Sequence, residues 1–272
     1  MDKLKKYLIE KSVNKVLSET CLQEAKSRFS LSHAEIEMCC LNASLLPSRY
    51  QRNQKAINTK EQLKLFSSRV AVVGCGGLGG HIIEELARLG VGQILAIDPD
   101  VFEEHNLNRQ LFSSPQVLGQ SKAEIAATRV AEINPAVTVH SMTTSFCRES
   151  GSELLKGADV VADAVDSIPV RLELASSCRD QGLPLVHGAI AGWYGHVCTV
   201  FPEEMSLEKI YRNRENGGGI EQELGNPAFT PAVIASFQVA EICKVLLGKK
   251  GLLRNRMLVI DLLDMEVEEI LL

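Results

Sequence analysis

Several features that would identify a metal site or a disulfide framework are missing from this chain of 272 residues. Its eight cysteines include no C-x-x-C pair, which argues against a tetrahedral zinc site built from paired thiolates. Their irregular spacing also argues against a set of structural disulfides, so most of them are expected to be small buried residues. We therefore predict no zinc.

An excess of basic residues is also absent. The formal net charge is −5, and no stretch combines Lys and Arg with aromatic residues. Because affinity for nucleic acid depends on clustered positive charge, nucleic acid is not a predicted partner. No apolar run approaches the roughly 20 residues that span a bilayer, and the N-terminal residues interleave charged and apolar positions. We predict no membrane association and a cytoplasmic location.

The composition that remains is that of a globular protein, with 45% hydrophobic residues. From residue 70 onward, short β-branched runs alternate with longer helical patterns: VAVVG, ILAID, VTVHS, DVVADA and LPLVHGA. This alternation predicts an α/β protein with a Rossmann-like, doubly wound, mostly parallel sheet covered by helices on both faces. The segments GHVCTVF and MLVIDLLDMEVEEILL predict an antiparallel C-terminal portion.

The N-terminal residues predict a helical extension ahead of that sheet. Apolar residues recur at helical spacing from Leu4 to Ala25, which indicates one amphipathic helix over residues 1 to about 29. Ser32 and Glu35 form a capping-box pattern, so a second, short helix is expected to begin there and to end before Pro47. We divide the chain into this extension, residues 1–48, and one α/β domain, residues 49–272.

The α/β domain is expected to have two halves, at about 49–195 and about 196–272. The second half contains a polar, glycine-rich stretch at 202–227. This crossover is too long for an ordinary connection, which favours a functional role. A helix is predicted from about Pro231 to Leu247.

A glycine-rich turn follows the first strand of the predicted sheet. Gly74, Gly76 and Gly79 form G-x-G-x-x-G after an apolar run and before a helical pattern, the context that this motif requires. Such glycines let the backbone approach a phosphate, and the N–H groups at the start of the helix attract that anion. Asp98 closes the second strand, where a carboxylate can accept hydrogen bonds from a ribose. Taken alone, these features favour a nicotinamide-dependent dehydrogenase.

Three segments further along the chain favour ATP instead. DPDVFEEHNLNRQLF, GQSKAE and ADAVDS supply an arginine, a lysine and a carboxylate that can converge around a triphosphate. Attack on an α-phosphate builds negative charge, which positioned cations and a metal ion stabilise. Hydride transfer needs a nicotinamide pocket and usually an acid–base residue. A nicotinamide-dependent dehydrogenase would therefore have no use for these three segments.

In this order and spacing, GCGGLGG, DPD, NLNRQ, GQSK and DAVDS resemble the ThiF/MoeB/HesA family of ubiquitin-activating-enzyme-like adenylyltransferases, from about Arg49 to the C-terminus. The resemblance implies that ATP and magnesium are used to adenylate the C-terminal glycine of a small ubiquitin-fold sulfur-carrier protein ending in Gly-Gly, with release of pyrophosphate. The pathways implied are thiamin or molybdopterin/tungstopterin biosynthesis. A homodimer is also implied, with the carrier bound by the second half of the α/β domain.

The resemblance further implies a nucleotide site. It aligns these residues along ATP: Gly74, Gly76, Gly77, Gly79, Asp98, Asp100, Asn106, Arg109, Gln110 and Lys122. Asp98 would contact the ribose, and Lys122 would neutralise the β- and γ-phosphates. Asn106, Arg109 and Gln110 of NLNRQ would face the phosphates.

The catalytic residues implied by the resemblance are Arg52, Arg109, Lys122 and Asp166. Asp166, the second carboxylate of DAVDS, would hold magnesium. Arg52 of RYQRNQ is similar to the family's arginine-finger segment and would reach the neighbouring subunit's site across the dimer. Beyond this set, His187 fits a core position better than the carrier-tail channel. The aromatic residues Trp193 and Tyr194 fit either the carrier-binding surface or the core.

The chain departs from the family pattern at three places. It lacks the paired C-x-x-C motifs that hold zinc in many relatives, its crossover contains no cysteine nucleophile, and Ser167 stands where asparagine is frequent. Adenylation is therefore the chemistry that these residues support. Two alternatives stay open: a non-catalytic carrier-binding scaffold of the same fold, and an NAD-dependent oxidoreductase, which would share the glycine turn and Asp98.

Overall fold

The computed structural model describes residues 2–212 and 224–272. Its N-terminal elements are α1 (Asp2–Lys11), β1 (Val16–Leu17), α2 (Glu19–Phe29), α3 (His33–Asn42) and β2 (Leu46–Pro47). Strands and helices then alternate: α4 (Thr59–Phe66), β3 (Arg69–Val73), α5 (Gly77–Leu89), β4 (Gln93–Ile97), α6 (Lys122–Ile133), β5 (Thr138–Met142), α7 (Arg148–Leu154), β6 (Val160–Asp163), α8 (Ile168–Gln181), β7 (Leu185–Ala191) and β8 (Tyr194–Val200). The C-terminal elements are α9 (Ser206–Ile210), α10 (Phe229–Leu247), β9 (Arg256–Asp261) and β10 (Glu266–Leu271). Short 3₁₀ turns lie at Ser48–Asn53, Glu104–Asn106 and Pro115–Val117.

The main sheet has the strand order β10-β9-β8-β7-β6-β3-β4-β5. The strands from β7 to β5 in this order are parallel, and the pairs β7–β8, β8–β9 and β9–β10 are antiparallel. The predicted α/β fold, with its antiparallel C-terminal portion, is therefore confirmed. The direction of winding reverses between β3 and β6, because the chain first builds outward to β4 and β5 and later returns to the other side of β3. Ligands of open α/β sheets bind at such a reversal.

The central strands are buried on both faces, which explains their uninterrupted apolar sequences. Val70 and Val72 of β3 face a core that includes side chains of α5, α6 and α10. Ala71 and Val73 of the same strand face the opposite core, which includes side chains of α7, α8 and α9. Alternate residues of one strand therefore hold the helices of two different layers.

The N-terminal extension differs from the prediction of one long helix. Two helices, α1 and α2, are separated by a turn in which Asn14 and Lys15 have φ angles of 50° and 63°. These left-handed residues interrupt the helix, and the chain then pairs β1 with β2 in parallel. Ser18 caps α2 by accepting a hydrogen bond from the Cys21 amide. The apolar spacing continues across the break because both helices contribute to the same core.

The second predicted helix begins where the sequence indicated. Ser32 and Glu35 form a complete capping box at the start of α3, with each side chain bonded to the other residue's backbone N–H. The helix ends at Asn42, and Pro47 lies in the short strand β2. The capping-box prediction is therefore confirmed.

The extension joins the α/β domain at Tyr50, which is fully buried. The Tyr50 hydroxyl donates a hydrogen bond to Glu37 of α3 at 2.5 Å and accepts one from the side-chain amide of Asn134 at 2.8 Å. Beside it, Arg49 contacts Asn134 and Glu19. The 3₁₀ turn at Ser48–Asn53 is therefore held from both sides.

In the described part of the chain, α10 is long and apolar enough to cross a membrane by length and composition alone. Its sequence contains no long uninterrupted apolar run, because polar residues, including Glu241 and Lys244, lie within it. The helix packs on β7, β8 and α5, and Glu241 is buried, accepting hydrogen bonds from Thr199 and from the Leu253 amide. These are the contacts of a core helix, and the absence of membrane association stays a prediction.

The predicted crossover, residues 202–227, is described at its two ends. The first end contains α9, and the other leads into α10, which begins at Phe229 rather than at Pro231. Pro231 is accommodated because the first turn of a helix needs no backbone N–H donor at that position. Residues 213–223 lie outside the described residues. The predicted division of the domain at about residue 195 falls inside β8.

Candidate active site

A cavity of about 620 Å³ lies at the carboxyl ends of β3, β4, β6 and β7, where the winding of the sheet reverses. Its walls include residues from all five family-like motifs and from the crossover: Gly74, Gly76, Gly77, Asp98, Asp100, Arg109, Gln110, Lys122, Asp166, Ser167 and Asn226. Most of the residues predicted from the sequence therefore meet at one place.

The glycine turn forms the floor of this cavity. Gly74 has a φ of +93°, and a Cβ atom there would lie 2.4 Å from the carbonyl oxygen of Ala164. A Cβ atom on Gly79 would lie 1.8 Å from the carbonyl oxygen of Gly74, so Gly79 lets α5 pack against the turn and does not itself line the cavity. No side chain caps the start of α5 at Gly76. The backbone N–H groups in the first turn of α5 can therefore bind an anion.

Asp98 holds the glycine turn in place from the end of β4. One carboxylate oxygen accepts a hydrogen bond from the Cys75 amide at 2.6 Å, and the other accepts one from the Asp100 amide at 2.8 Å. Burial raises the pKa of Asp98, and these two hydrogen bonds oppose the shift. Each oxygen retains a second lone pair. The ribose contact stays a prediction, and the structural role is an addition to it.

Lys122 is buried at the start of α6 and lines the cavity. Its ammonium group lies 2.9 Å from the carboxylate of Asp100, an ion pair that the sequence did not reveal. Asp100 is largely exposed, whereas the Lys122 side chain is only 9% exposed. The lysine is therefore pre-positioned, and a phosphate would compete with Asp100 for its charge.

The NLNRQ segment contributes two of its three predicted residues. Arg109 lines the cavity, and one of its terminal nitrogens donates to the His105 carbonyl and to Asn108, each at 2.9 Å. Gln110 also lines the cavity. Asn106 does not, because its side chain is buried and accepts a hydrogen bond from the Glu103 amide, which closes a 3₁₀ turn.

The side chain of Gln110 has a buried oxygen that lacks a hydrogen-bond donor among the described residues. The amide nitrogen of the same side chain lies against Gly76, 3.3 Å from the position of a Cβ atom there. Leaving such an oxygen unsatisfied costs about 1–3 kcal/mol, so a ligand or water that donates a hydrogen bond would be favoured here.

Asp166 lies in the loop between β6 and α8 and faces the cavity with its side chain exposed. The other two carboxylates of the cavity, Asp98 and Asp100, are already bonded, whereas Asp166 has no hydrogen bond or ion pair with any described residue. A Mg²⁺ ion bound with ATP typically needs only one or two protein carboxylates, because phosphates and water complete its shell. Asp166 therefore fits the predicted magnesium ligand.

Metal ions that need several protein ligands find no such cluster in residues 2–212 and 224–272. No three His, Cys, Asp or Glu side chains of this part come together in a way that could hold a metal ion. The absence of zinc stays a prediction.

The remaining predicted residues lie outside the cavity. Arg52 is exposed on the 3₁₀ turn at Ser48–Asn53, and it contacts no described acidic side chain. Trp193 and Tyr194 are 43% and 40% exposed, which excludes the core position that their sequence also allowed. The Trp193 ring packs on Phe229, with 4.5 Å between ring centroids. His187 is fully buried, as a core histidine should be.

A buried polar network behind the cavity was missed by sequence reasoning. It consists of Asp163, Arg171, His187, His196 and Tyr211, and we call it the His187 network. Nδ1 of His187 lies 2.7 Å from the Asp163 carboxylate, and the two histidine Nε2 atoms lie 3.0 Å apart. The Tyr211 hydroxyl is 3.2 Å from His187 Nε2 and accepts a hydrogen bond from Arg171 at 2.7 Å. The antiparallel pairing of LPLVHGA with GHVCTVF is the signal that could have brought the histidines together.

The charges of the His187 network are set by burial and pairing. Burial alone would raise the pKa of Asp163, but the charge of Arg171 and the hydrogen bond from His187 bring it below its usual value. Burial lowers the pKa of His187, and burial together with His187 lowers the pKa of His196 to about 3. Near neutral pH the network therefore holds an Asp–Arg ion pair and two neutral histidines.

Comparison with known proteins places the chain in the ThiF family. The model of the ThiF family matches residues 50–272. The SAMP-activating enzyme E1 of Haloferax volcanii is 35% identical over 226 residues, which cover 82% of this chain and 84% of that protein. The sulfur carrier protein adenylyltransferase of Thermus thermophilus is 31% identical, covering 79% and 83%. The Dictyostelium discoideum adenylyltransferase and sulfurtransferase MOCS3 is 29% identical, and the match spans about half (53%) of its length.

Solved structures support the fold. The structure of E. coli MccB with MccA superposes with a TM-score of 0.71 at 20% identity, covering 92% of this chain and 82% of that one. E. coli tRNA N6-threonylcarbamoyladenosine dehydratase, TcdA, gives a TM-score of 0.64 at 23% identity, covering 74% and 95%. At these identities the likeness concerns the fold alone.

Proposed function

This chain is an adenylyltransferase of the ThiF family, and we propose that it uses ATP and Mg²⁺ to adenylate the C-terminal glycine of a small ubiquitin-fold sulfur-carrier protein. The observation that carries the proposal is the meeting of Arg109, Lys122 and Asp166 around the glycine turn in one cavity. In this reaction the carrier carboxylate attacks the α-phosphate of ATP, an acyl-adenylate forms, and pyrophosphate leaves.

Two cations of the cavity can stabilise the negative charge that develops on the phosphates in this reaction. Lys122 is fixed by Asp100 and can transfer its hydrogen bond to the β- and γ-phosphates, which neutralises the leaving group. Arg109 has guanidinium donors beyond the one bonded to His105 and Asn108. These donors can stabilise charge on the phosphoryl oxygens.

Asp166 is the residue proposed to hold Mg²⁺. When held by Asp166, the ion would neutralise part of the phosphate charge that repels the attacking carboxylate. Because Asp166 makes no bond with another described residue, its carboxylate can turn to the ion without breaking an existing contact.

The substrate side of the site is proposed from the uncharged walls of the cavity. Ala189, Ile190 and Asn226 line it near the end of β7, and they leave room for a tail that carries no side chains. A Gly-Gly end is such a tail. Trp193 and Tyr194, exposed just beyond β7, are the proposed anchors for the body of the carrier.

The wider setting is part of the same proposal. We propose a homodimer in the cytoplasm, in which Arg52 of one subunit reaches the cavity of the other. The carrier would serve thiamin or molybdopterin/tungstopterin biosynthesis, and the relatives in Haloferax and Thermus support sulfur-carrier activation in general.

The test is ATP–pyrophosphate exchange with purified protein, Mg²⁺ and a panel of carriers ending in Gly-Gly. We expect exchange with at least one carrier and none when its terminal glycine is removed. Lys122→Ala and Asp166→Ala should each lower the rate by about two orders of magnitude, whereas Lys60→Ala, which alters an exposed lysine of α4, should not. Near-normal exchange in both cavity variants would remove the basis of the assignment.

The two alternatives give different results in binding experiments. A non-catalytic scaffold would bind a carrier without supporting exchange. An NAD-dependent oxidoreductase would be stabilised against heat by NAD and not by ATP with Mg²⁺, because a ligand that binds only the native state raises the melting temperature.

A further inference from the structure

The loop that carries Asp166, residues 164–167, is held by its backbone rather than by the Asp166 side chain. The Val165 amide donates a hydrogen bond to Asp163 at 3.2 Å, and the Val165 carbonyl accepts one from a terminal nitrogen of Arg171. The Arg171 amide in turn donates to the Ser167 carbonyl at 3.0 Å. The direction of the Asp166 carboxylate therefore depends on where Asp163 and Arg171 lie.

Arg171 connects this loop to the first end of the crossover. Its Nε lies 2.9 Å from the Asp163 carboxylate, one terminal nitrogen contacts Val165, and the other donates to the Tyr211 hydroxyl at 2.7 Å. The guanidinium is planar and rigid, so all three contacts fix one orientation. A displacement of Tyr211 would thus be transmitted to Val165.

Tyr211 is placed to act on the guanidinium through its hydroxyl group. It directly follows α9, its ring is buried, and its oxygen accepts the Arg171 hydrogen bond. Asp163 accepts the Nδ1 proton of His187, so His187 Nε2 is an acceptor with one lone pair, for which His196 Nε2 at 3.0 Å and the Tyr211 hydroxyl at 3.2 Å compete. The hydroxyl oxygen is therefore held by Arg171 on one side and lies beside His187 on the other.

The other end of the crossover also reaches the site. Asn226 lines the cavity, and its carbonyl accepts a hydrogen bond from Asn108 at 3.0 Å. The Gly225 carbonyl accepts one from Gly192, beside the exposed aromatic residues. Both described ends of the crossover therefore contact segments that form or support the cavity.

We propose that Tyr211 and Arg171 are positioning residues that link the first end of the crossover to the loop carrying Asp166. The functional consequence rests on the proposed function, because Asp166 is the proposed Mg²⁺ ligand. The structural link itself does not depend on that function.

A metal ion between the two histidines is a competing explanation for their Nε2 atoms lying 3.0 Å apart. The third group within reach is the Tyr211 hydroxyl, which already accepts a hydrogen bond from the positively charged Arg171. A second cation at this place would be repelled by the guanidinium. A hydrogen bond between neutral histidines explains the distance without an added charge.

The first test removes only the Tyr211 hydroxyl. Amide hydrogen exchange of the free protein is measured for Tyr211→Phe, with Tyr7→Phe as the matched control, since the Tyr7 hydroxyl bonds Glu24 in the N-terminal extension. We expect exchange at residues 164–168 to become about fivefold faster in Tyr211→Phe, the change that the loss of one hydrogen bond of about 1 kcal/mol produces, and to stay unchanged in Tyr7→Phe. Equal exchange in both variants would overturn the link.

The second test separates positioning from a general loss of structure. In ATP–pyrophosphate exchange, Tyr211→Phe should raise the Mg²⁺ concentration for half-maximal rate about fivefold, while KM for ATP at saturating Mg²⁺ changes less than twofold. A parallel rise in both quantities, or no change in either, would contradict the proposal. If the wild-type protein supports no exchange with any carrier, the proposed function fails, and the hydrogen-exchange result still decides whether the link exists.

A second variant covers the case in which Tyr211→Phe does not fold. Arg171→Lys keeps a positive charge beside Asp163 but lacks the planar group that reaches Val165 and Tyr211 together. It should give the same faster exchange at residues 164–168 and the same Mg²⁺ requirement. Wild-type behaviour of Arg171→Lys would show that only the charge matters, which would overturn the positioning role.

Discussion

At the scale of single residues, Glu37 is a buried carboxyl whose pKa is raised by its surroundings. It lies buried between the extension and Tyr50, whose hydroxyl donates to it. Burial raises its pKa to about 7, although the hydrogen bond from Tyr50 opposes the shift. The group therefore keeps its proton in the folded protein at pH values where it is ionised in the unfolded chain.

This shift predicts a pH-dependent stability. Because the folded pKa is about 7 and the reference value is 4.5, the stabilisation is fully present below pH 4.5 and is lost as pH rises through 7. Glu37→Gln removes the titration and keeps an acceptor for Tyr50. Between pH 5 and pH 8, urea unfolding should show the wild type losing about 2 kcal/mol relative to Glu37→Gln.

A matched control is Glu10→Gln, which changes an exposed carboxyl of α1. It should follow the wild type across the whole pH range. A constant difference between the wild type and Glu37→Gln at pH 5 and pH 8 would mean that Glu37 does not titrate in this interval.

Residue-level sequence reasoning succeeded for side chains that lie between the end of a strand and the first turn of the next helix. Lys122, Arg109 and Asp166 reach one cavity because parallel strands end at the same edge of the sheet, and the strands were recognisable. It failed at Asn106, whose side chain closes a local turn. Nothing in the sequence distinguishes an asparagine that faces a ligand from one that caps a turn, because both uses need the same polar group.

At the scale of elements, apolar periodicity predicted which residues are buried better than where helices end. The spacing from Leu4 to Ala25 was read as one helix, yet Asn14 and Lys15 interrupt it in left-handed conformations. The apolar periodicity continues across such a break when both helices pack on one core. The capping box at Ser32 was located correctly, because it depends on two residues at a fixed separation.

The capping box predicts a measurable contribution to stability. Ser32→Ala removes the acceptor for the Glu35 amide at the start of α3 and should cost about 1 kcal/mol in urea unfolding. Ser27→Ala is the control, because Ser27 is exposed in the interior of α2, where alanine is the better helix former. If both substitutions have the same effect, the cap contributes nothing to the stability of the extension.

The long-range polar contacts could not be predicted element by element. The His187 network joins β6, α8, β7, β8 and the residue after α9, and each contact depends on how these elements pack. The sequence alone placed His187 in the core, which is correct. Its partners follow from the antiparallel register of β7 and β8, in which His187 is opposite Cys198 and His196 is opposite Ala189.

At the scale of the whole molecule, Arg52 is the one predicted catalytic residue that its own chain does not bring to the cavity, whereas Arg109, Lys122 and Asp166 line it. Arg52 is exposed on a 3₁₀ turn whose neighbours, Arg49 and Tyr50, are fixed by contacts with Asn134, Glu37 and Glu19. The turn is thus held against α2, α3 and the α/β domain, while the exposed Arg52 side chain can contact another molecule. This arrangement supports the proposed homodimer, in which Arg52 would act on the partner's cavity.

Subunit mixing tests the proposed dimer directly. Arg52→Ala and Lys122→Ala should each lower the exchange rate by about two orders of magnitude alone, because each removes a cation from every site. In random mixed dimers, half of the molecules combine the two variants, and each of these regains one complete site, with Lys122 from one subunit and Arg52 from the other. Co-refolding equal amounts should therefore restore about a quarter of the wild-type exchange rate per subunit. If Arg52 acted within its own chain, no mixed dimer would contain a complete site and the mixture would exchange as slowly as either variant alone.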